Sequence, residues 1–350
     1  MEPYVHVDIL VENDKISKNV CNIFYGSNTN KEVIDMHAQG IWPSGCKACQ
    51  FLEKNNLKSR RIGVNEVYKN QSITNLDYIQ AVSLRYGTLC NLRCIICDDS
   101  RSSAWANENL KFNKKVDDRY IYNKNSLPSI EKVLEGIDIS KVKSWDFHGG
   151  EPLLSNYPWE VLQVADATSQ FKFNTNGTVF PARIQEFVGK KVEIILSIDD
   201  IEERFEYQRY PAKWETVVHN IKNFKKLGFK VSVTPTISNI NVWDFPLSIE
   251  WLVKKFDLKI YLQFVDYPKK LAVNNLNANT KKELLDHYKK FNNMQKILNP
   301  IINKINEPGE EIDFLSYIDE IDRRRNQNFS KTFNEWSKIL ENTMYRQSVS

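Results

Sequence analysis

Three cysteines closing one short loop constrain this chain more than any other feature: Cys90-x3-Cys94-x2-Cys97, in the run GTLCNLRCIICDD. They follow directly on an apolar, strand-like stretch (Ala81, Val82, Ser83, Leu84) and a turn at Gly87. Three thiolates at this spacing can hold three irons of a [4Fe–4S] cube. No cysteine follows Cys97, so a cube bound here keeps one iron open to a substrate or cofactor. Cys-x2-Cys turns also serve zinc, so the triplet by itself leaves zinc open.

Polar motifs follow the triplet at the ends of further strand-like segments. Residues 142–147 read as a strand and run into His148-Gly149-Gly150-Glu151-Pro152. Two glycines let the backbone approach a ligand closely, and Glu151 can pair with an ammonium. Phe171-Lys172-Phe173 ends in Asn174-Thr175-Asn176-Gly177-Thr178, and Val192 to Ile198 ends in Ser197-Ile198-Asp199-Asp200. Polar side chains at the carboxyl ends of parallel strands are where α/β sheets and barrels place ligands.

In this order and spacing the motifs resemble those of radical S-adenosylmethionine (radical SAM) enzymes. The resemblance implies that Cys90, Cys94 and Cys97 carry a catalytic [4Fe–4S] cluster whose open iron chelates the amino and carboxylate groups of SAM. Gly149, Gly150 and Glu151 then receive the SAM amino group, Asn176, Ser197 and Asp199 touch its carboxylate or ribose, and Arg209 pairs with the carboxylate. The family usually has an aromatic residue before the third cysteine to cover the adenine; here that position is Ile96.

Repeated βα periodicity joins the motifs. Trp214, Val217, Val218, Ile221 and Phe224 fall on one helix face, with Gly228 as a C-terminal cap after Leu227. Val231–Thr234 reads as a strand, Ile249, Leu252, Val253 and Phe256 as another helix face, and Ile260–Val265 as the last strand. Six strands between residues 78 and 266, each but the last followed by a helix, predict an α/β fold: a partial (β/α)6 radical SAM barrel. Thr234, Thr236, Gln263 and Asp266, at its last two strands, are expected to face the substrate.

All six cysteines lie in the first 97 residues. Residues 1–77 read as a small cysteine-bearing module: a hairpin from Tyr4–Val11 into a strand ending at Cys21, a short helical segment, then Trp42-Pro43-Ser44-Gly45-Cys46-Lys47-Ala48-Cys49. It resembles the cluster-bearing twitch module, related to SPASM domains, of some radical SAM enzymes. In that reading Cys21, Cys46 and Cys49 hold a second [4Fe–4S] cluster, its fourth iron open or closed by His6 or His37. A Cys3His zinc site competes, as does Cys21 as a small buried hydrophobe.

The chain opens without a basic region and apolar core, and no apolar run approaches the roughly 20 residues of a membrane span, so a reducing cytoplasmic setting is expected. A net charge of +4 spread over mixed signs gives no indication of nucleic-acid binding. Residues 267–350 form a helical extension expected to cap the barrel, with helical segments at Leu284–Met294, Ile312–Arg324 and Phe333–Leu340. His219 and His287 read as ordinary helix residues, and His148 as a residue capping a strand end.

The expected function is a radical SAM oxidoreductase that cleaves SAM reductively and abstracts a hydrogen atom. A flavodoxin- or ferredoxin-type donor would reduce it, and its substrate would be a peptide or protein. Three alternatives stand beside it. The substrate could be a nucleotide, nucleoside or other small molecule. A degenerate relative could bind the cluster without cleaving SAM. A zinc-binding interaction protein could use Cys46/Cys49 and Cys94/Cys97 as half-sites.

Overall fold

A computed structural model of the chain describes residues 6–12, 15–19, 36, 39–43, 46–57, 59, 62 and 79–345. They divide into two compact units. The first comprises Met1–Asn91, Asp99–Thr175 and Pro181–Ile194, and the second Leu92–Asp98, Asn176–Phe180 and Ile195–Ser350.

In the first unit the strands β1 (His6–Glu12), β2 (Lys15–Asn19), β3 (Ala81–Tyr86), β4 (Ser144–His148), β5 (Gln170–Thr175) and β6 (Lys191–Leu196, shared with the second unit) lie in the order β2-β1-β3-β4-β5-β6. β1 runs antiparallel to β2 but parallel to β3, with Leu10 opposite Arg85. β3 pairs in parallel with β4, and β4 with β5. The N-terminal hairpin thus extends the sheet that carries the cysteine loop.

Alternation divides the two faces in β5 and β6, whereas β3 is buried on both faces through Leu84. Val82, Leu84, Trp145, Phe147, Phe171 and Phe173 are almost wholly removed from water. They form an aromatic layer with Phe187, which meets Phe171 and Phe173 edge-on at 5.2 and 5.1 Å between ring centroids. At roughly 1.5–3 kcal/mol per buried large side chain, this layer supplies much of the unit's hydrophobic stabilisation. The opposite parity carries Ser83, Arg85, Asp146, His148, Lys172 and Asn174 in register, a polar face running to the strands' carboxyl ends.

In the second unit β7 (Lys230–Val233) pairs with β9 (Lys259–Ile260), and β8 (Thr236–Ile237) with β10 (Gln263–Phe264), all in parallel. The helix Trp214–Lys226 buries Trp214, Val217, Ile221 and Phe224, leaves Val218 half-buried, and is followed by Gly228 at φ +77°. The C-terminal helices Ala278–Tyr288, Gln295–Asn306, Leu315–Arg325 and Asn334–Tyr345 pack within this unit. Trp336 stacks on Trp243 at 5.3 Å and donates its indole N–H to the Asn239 carbonyl.

Four sequence expectations change. The segment after β5 is a 3-10 turn, Ala182–Phe187, with Pro181 at its N-cap and Gly189 just beyond it, in place of the expected α-helix. The last strand divides into β9 and β10, which pair with different partners across the bend at Tyr261-Leu262. Val253 is 38% exposed, off the buried face of the helix Phe245–Phe256. The helix expected to carry Leu284, Tyr288, Phe291 and Met294 ends at Tyr288; Met294 falls in a 3-10 turn, and a separate helix, Gln295–Asn306, follows. Tyr4, Cys21 and His37, and the side chain of His6, lie outside the described residues.

Candidate cluster and cofactor site

In the first unit Cys90 sits just beyond the carboxyl end of β3. Gly87 takes φ +72° and donates its N–H to the Val11 carbonyl. Ser102 then caps the helix Ser103–Lys111 through its hydroxyl, which accepts the Trp105 N–H. The Ser103 hydroxyl accepts the Cys90 N–H at 3.1 Å and donates to the Cys90 carbonyl at 3.3 Å, pinning that residue from both sides.

The Gly-Gly-Glu segment lies against the same loop. Glu151 donates its N–H to the Leu89 carbonyl at 2.7 Å, and a Cβ on Gly150 would come 2.2 Å from that oxygen. Gly149, at φ +136°, also has backbone at 3.3 Å from a notional Cβ. Both glycines are therefore dictated by close backbone approach. The Glu151 carboxylate is 1% exposed, and its Oε1 accepts the Thr175 hydroxyl at 2.7 Å and the Leu153 N–H at 3.1 Å.

On the polar face, Asn174 donates to Asp146 at 2.6 Å and lies 3.3 Å from His148 Nε2, itself 3.2 Å from Asp146. Asp146 escaped notice in the sequence; its parity with His148 in β4 was the available signal. A cavity of about 420 Å3 opens at the carboxyl ends of β1 and β3, lined by Glu12, Arg85, Thr88, Ser100, Arg101 and Gly149 among others.

In the second unit the segment Leu92–Asp98 carries Cys94 and Cys97. The Arg93 and Ile95 N–H groups donate to the carbonyls of Tyr210 and Gln208, and Cys97 N–H to the Cys94 carbonyl. Arg209 is buried, with Nη2 2.7 Å from Asp199 Oδ2 and Nη1 3.8 Å from Cys94 Sγ. Burial pushes the Cys94 thiol up, and the Arg209 cation partly offsets that. Asp199 Oδ1 also accepts the Thr236 N–H. Asn176 uses its Oδ1 to hold Thr178, and Ser197 is half-buried at the end of β6.

Asp200 is wholly buried, a role the sequence did not signal: it accepts from Arg204, Ser248 and its neighbour Ile201. Thr234 is buried, whereas Gln263 and Asp266 are exposed, Asp266 paired with Lys304 at 3.0 Å. His287 is packed flat on Trp243 at 3.8 Å, and His219 is exposed.

The residues present fit an iron–sulfur cluster and SAM. Cys90, Cys94 and Cys97 form no disulfide, and a buried guanidinium beside Cys94 favours a thiolate ligand. The Gly149-Gly150 backbone has room for no side chain, and a buried carboxylate follows it. Cys46, at the start of the helix Lys47–Lys54, is buried, and Cys49 is half-buried one turn on. Among the described residues no three His, Cys, Asp or Glu side chains gather as a single-ion site. Also among them, no helix is long and apolar enough to cross a membrane.

Residues 84–252 match the family model of the Radical SAM superfamily. No curated protein matches. Among solved structures, native anSMEcpe with bound AdoMet is 17% identical, covering 61% of this chain and 62% of that one at a TM-score of 0.41. Native anSMEcpe with bound AdoMet and Cp18Cys peptide is 15% identical, covering 66% and 62%, at 0.43. Streptococcus suis SuiB bound to precursor peptide SuiA is 12% identical, covering 79% and 54%, at 0.40. The chain thus spans less than two thirds of the length of the structures it matches.

Proposed function

Since this chain belongs to the radical SAM superfamily of enzymes, we propose that it cleaves SAM reductively and abstracts a hydrogen atom from a peptide or protein substrate. The observation that carries the reading is the Cys90-x3-Cys94-x2-Cys97 triplet within the matched segment, with Cys90 just beyond the carboxyl end of β3 and the Glu151 N–H donating to the adjacent Leu89 carbonyl. When bound, the reduced [4Fe–4S] cluster and SAM supply a 5′-deoxyadenosyl radical.

The chain's own residues bind, orient and exclude water. Cys90, Cys94 and Cys97 hold three irons. The Gly149-Gly150 backbone and the Glu151 carboxylate receive the SAM ammonium, Glu151 being fixed by Thr175. Asn176, Ser197 and Asp199 serve the ribose and carboxylate end. Arg209 carries the cation for that carboxylate and is held in place by Asp199. Buried Ile95, Leu196 and Ile198 keep water from the second unit's part of the site.

The cavity at the ends of β1 and β3 suits a polar substrate side chain, with Arg85, Arg101 and Glu12 as charged contacts. A peptide substrate and a flavodoxin- or ferredoxin-type donor follow from the family resemblance. A second cluster or zinc at Cys21, Cys46 and Cys49 belongs to the same proposal, and the iron-to-protein ratio after reconstitution tests it.

The deciding experiment is SAM cleavage by the anaerobically reconstituted, dithionite-reduced protein, with the Cys90→Ala/Cys94→Ala/Cys97→Ala variant as control. We expect 5′-deoxyadenosine from the parent and none from the variant. Uptake of zinc with no iron–sulfur cluster overturns the proposal.

A further inference from the structure

The C-terminal helix Leu315–Arg325 reaches the cysteine loop directly, a contact for which the reading above has no use. Ile95, between two of the three thiols, is fully buried. Its N–H donates to the Gln208 carbonyl at 2.8 Å, and its carbonyl accepts the Tyr317 hydroxyl at 3.0 Å. Lys270 Nζ lies 3.8 Å from the centroid of the Tyr317 ring, so a cation steadies the ring that carries this hydroxyl.

The same helix holds the other side of the loop's seat. Asp322 accepts the Tyr207 hydroxyl at 2.8 Å and the Phe329 N–H at 2.7 Å, and Gln327, just past the helix end, donates to the Tyr207 carbonyl. Tyr207 adjoins Gln208, whose carbonyl receives Ile95. Next along the chain, the Tyr210 ring has the guanidinium of Arg93 at 4.7 Å and that of buried Arg325 at 5.4 Å. The Tyr210 carbonyl in turn receives the Arg93 N–H at 2.7 Å. Residues from one helix therefore brace the loop and the segment the loop is stitched to.

We propose that Tyr317 is a positioning residue for the cluster: by holding the Ile95 carbonyl it fixes the peptide plane between Cys94 and Cys97. A planar trans peptide turns its N–H opposite to its carbonyl, so anchoring the Ile95 carbonyl also sets the direction of the Ile96 N–H. Peptide N–H groups and hydrogen bonds around the sulfurs are among the determinants of a cluster's potential. The C-terminal extension is by this inference part of the cluster's mounting. The inference rests on the cluster assignment proposed above.

The test compares anaerobically reconstituted parent and Tyr317→Phe proteins, the substitution keeping the ring over Lys270 and removing the hydroxyl. Iron and sulfide content should be equal. The reduced-cluster electron paramagnetic resonance spectrum and the midpoint potential should shift, and SAM cleavage should slow about fivefold, the factor one ordinary hydrogen bond carries. An unchanged spectrum and potential at equal iron content overturns the inference. If Tyr317→Phe does not fold, Lys270→Met, which leaves the hydroxyl and removes the cation, is measured in its place. A shifted spectrum then supports the clamp and an unchanged one removes it. Failure of the underlying cluster assignment looks different, because the parent itself would then take up no iron–sulfur cluster.

Discussion

Arg209 and Asp199 meet at 2.7 Å with almost no exposure of either side chain, a buried ion pair beside Cys94. Two charges taken out of water hold each other in place, and removing one strands the other. Such a loss typically costs about 3–5 kcal/mol. Asp199→Asn should lower the urea midpoint of the metal-free protein by the equivalent of that amount, and Arg209→Lys by less. Midpoints equal to the parent's would show that the pair is not what orders this segment.

Glu151 presents a buried carboxylate whose Oε1 is tied to Thr175 and Leu153. Glu151→Gln keeps that oxygen and its hydrogen bonds while removing the charge. With the loss of a charge-assisted hydrogen bond put at about 1.5–3 kcal/mol, SAM should bind roughly 10- to 100-fold more weakly. Equilibrium dialysis with labelled SAM on the reconstituted protein measures this, and undiminished affinity would remove Glu151 from the ammonium site.

Gly150 leaves no space for a methyl group, with the Leu89 carbonyl oxygen and carbon at 2.2 and 2.5 Å from a Cβ. Gly150→Ala should therefore push the Gly-Gly-Glu segment off the loop that carries Cys90 and reduce cluster retention at least several-fold. Gly136→Ala is the control, since its Cβ would meet nothing within 4 Å and only its φ of +79° resists. Equal iron retention by the two variants would contradict the close-approach account.

Burial raises the Asp200 carboxyl to about 6, against 3.8 for an ordinary aspartate, even with Arg204 and Ser248 as partners. The folded state holds this proton more tightly than the unfolded chain. Stability contributed by the group is therefore complete below about 4 and lost as the pH rises to about 6. Relative to Asp200→Asn, the parent should lose on the order of 3 kcal/mol across that window and nothing further above it. Urea unfolding at several pH values reads the slope; a difference that grows in the opposite direction would refute the assignment.

The features legible in the sequence were those that need only near neighbours. β3, the cysteine loop and the glycine pair are each specified within a few residues, and the Trp214–Lys226 helix shows its face through 3.6-residue spacing. The pairing of β1 with β3 was hidden because strand partnership across some seventy residues leaves no local mark. The division of the last strand was hidden because apolar character continues through the bend at Tyr261-Leu262. Asp200 read as one more polar strand end, since its burial depends on Arg204 one helical turn away and on Ser248 far along the chain. Tyr317 looked like any half-buried helix tyrosine, because its partner is a main-chain carbonyl from the other end of the sequence.

The parallel seam between β1 and β3 has a practical consequence for anyone shortening this protein. β3 is covered on that side by β1, and β2, carrying Lys15 and Lys18, stands outermost. Cutting the chain before residue 78 would strip both strands and leave β3 with a row of unanswered main-chain donors and acceptors next to the cysteine loop. An open sheet margin of that kind recruits other chains. The hairpin is thus a guard against self-association, and a barrel produced without it should precipitate whatever its metal content.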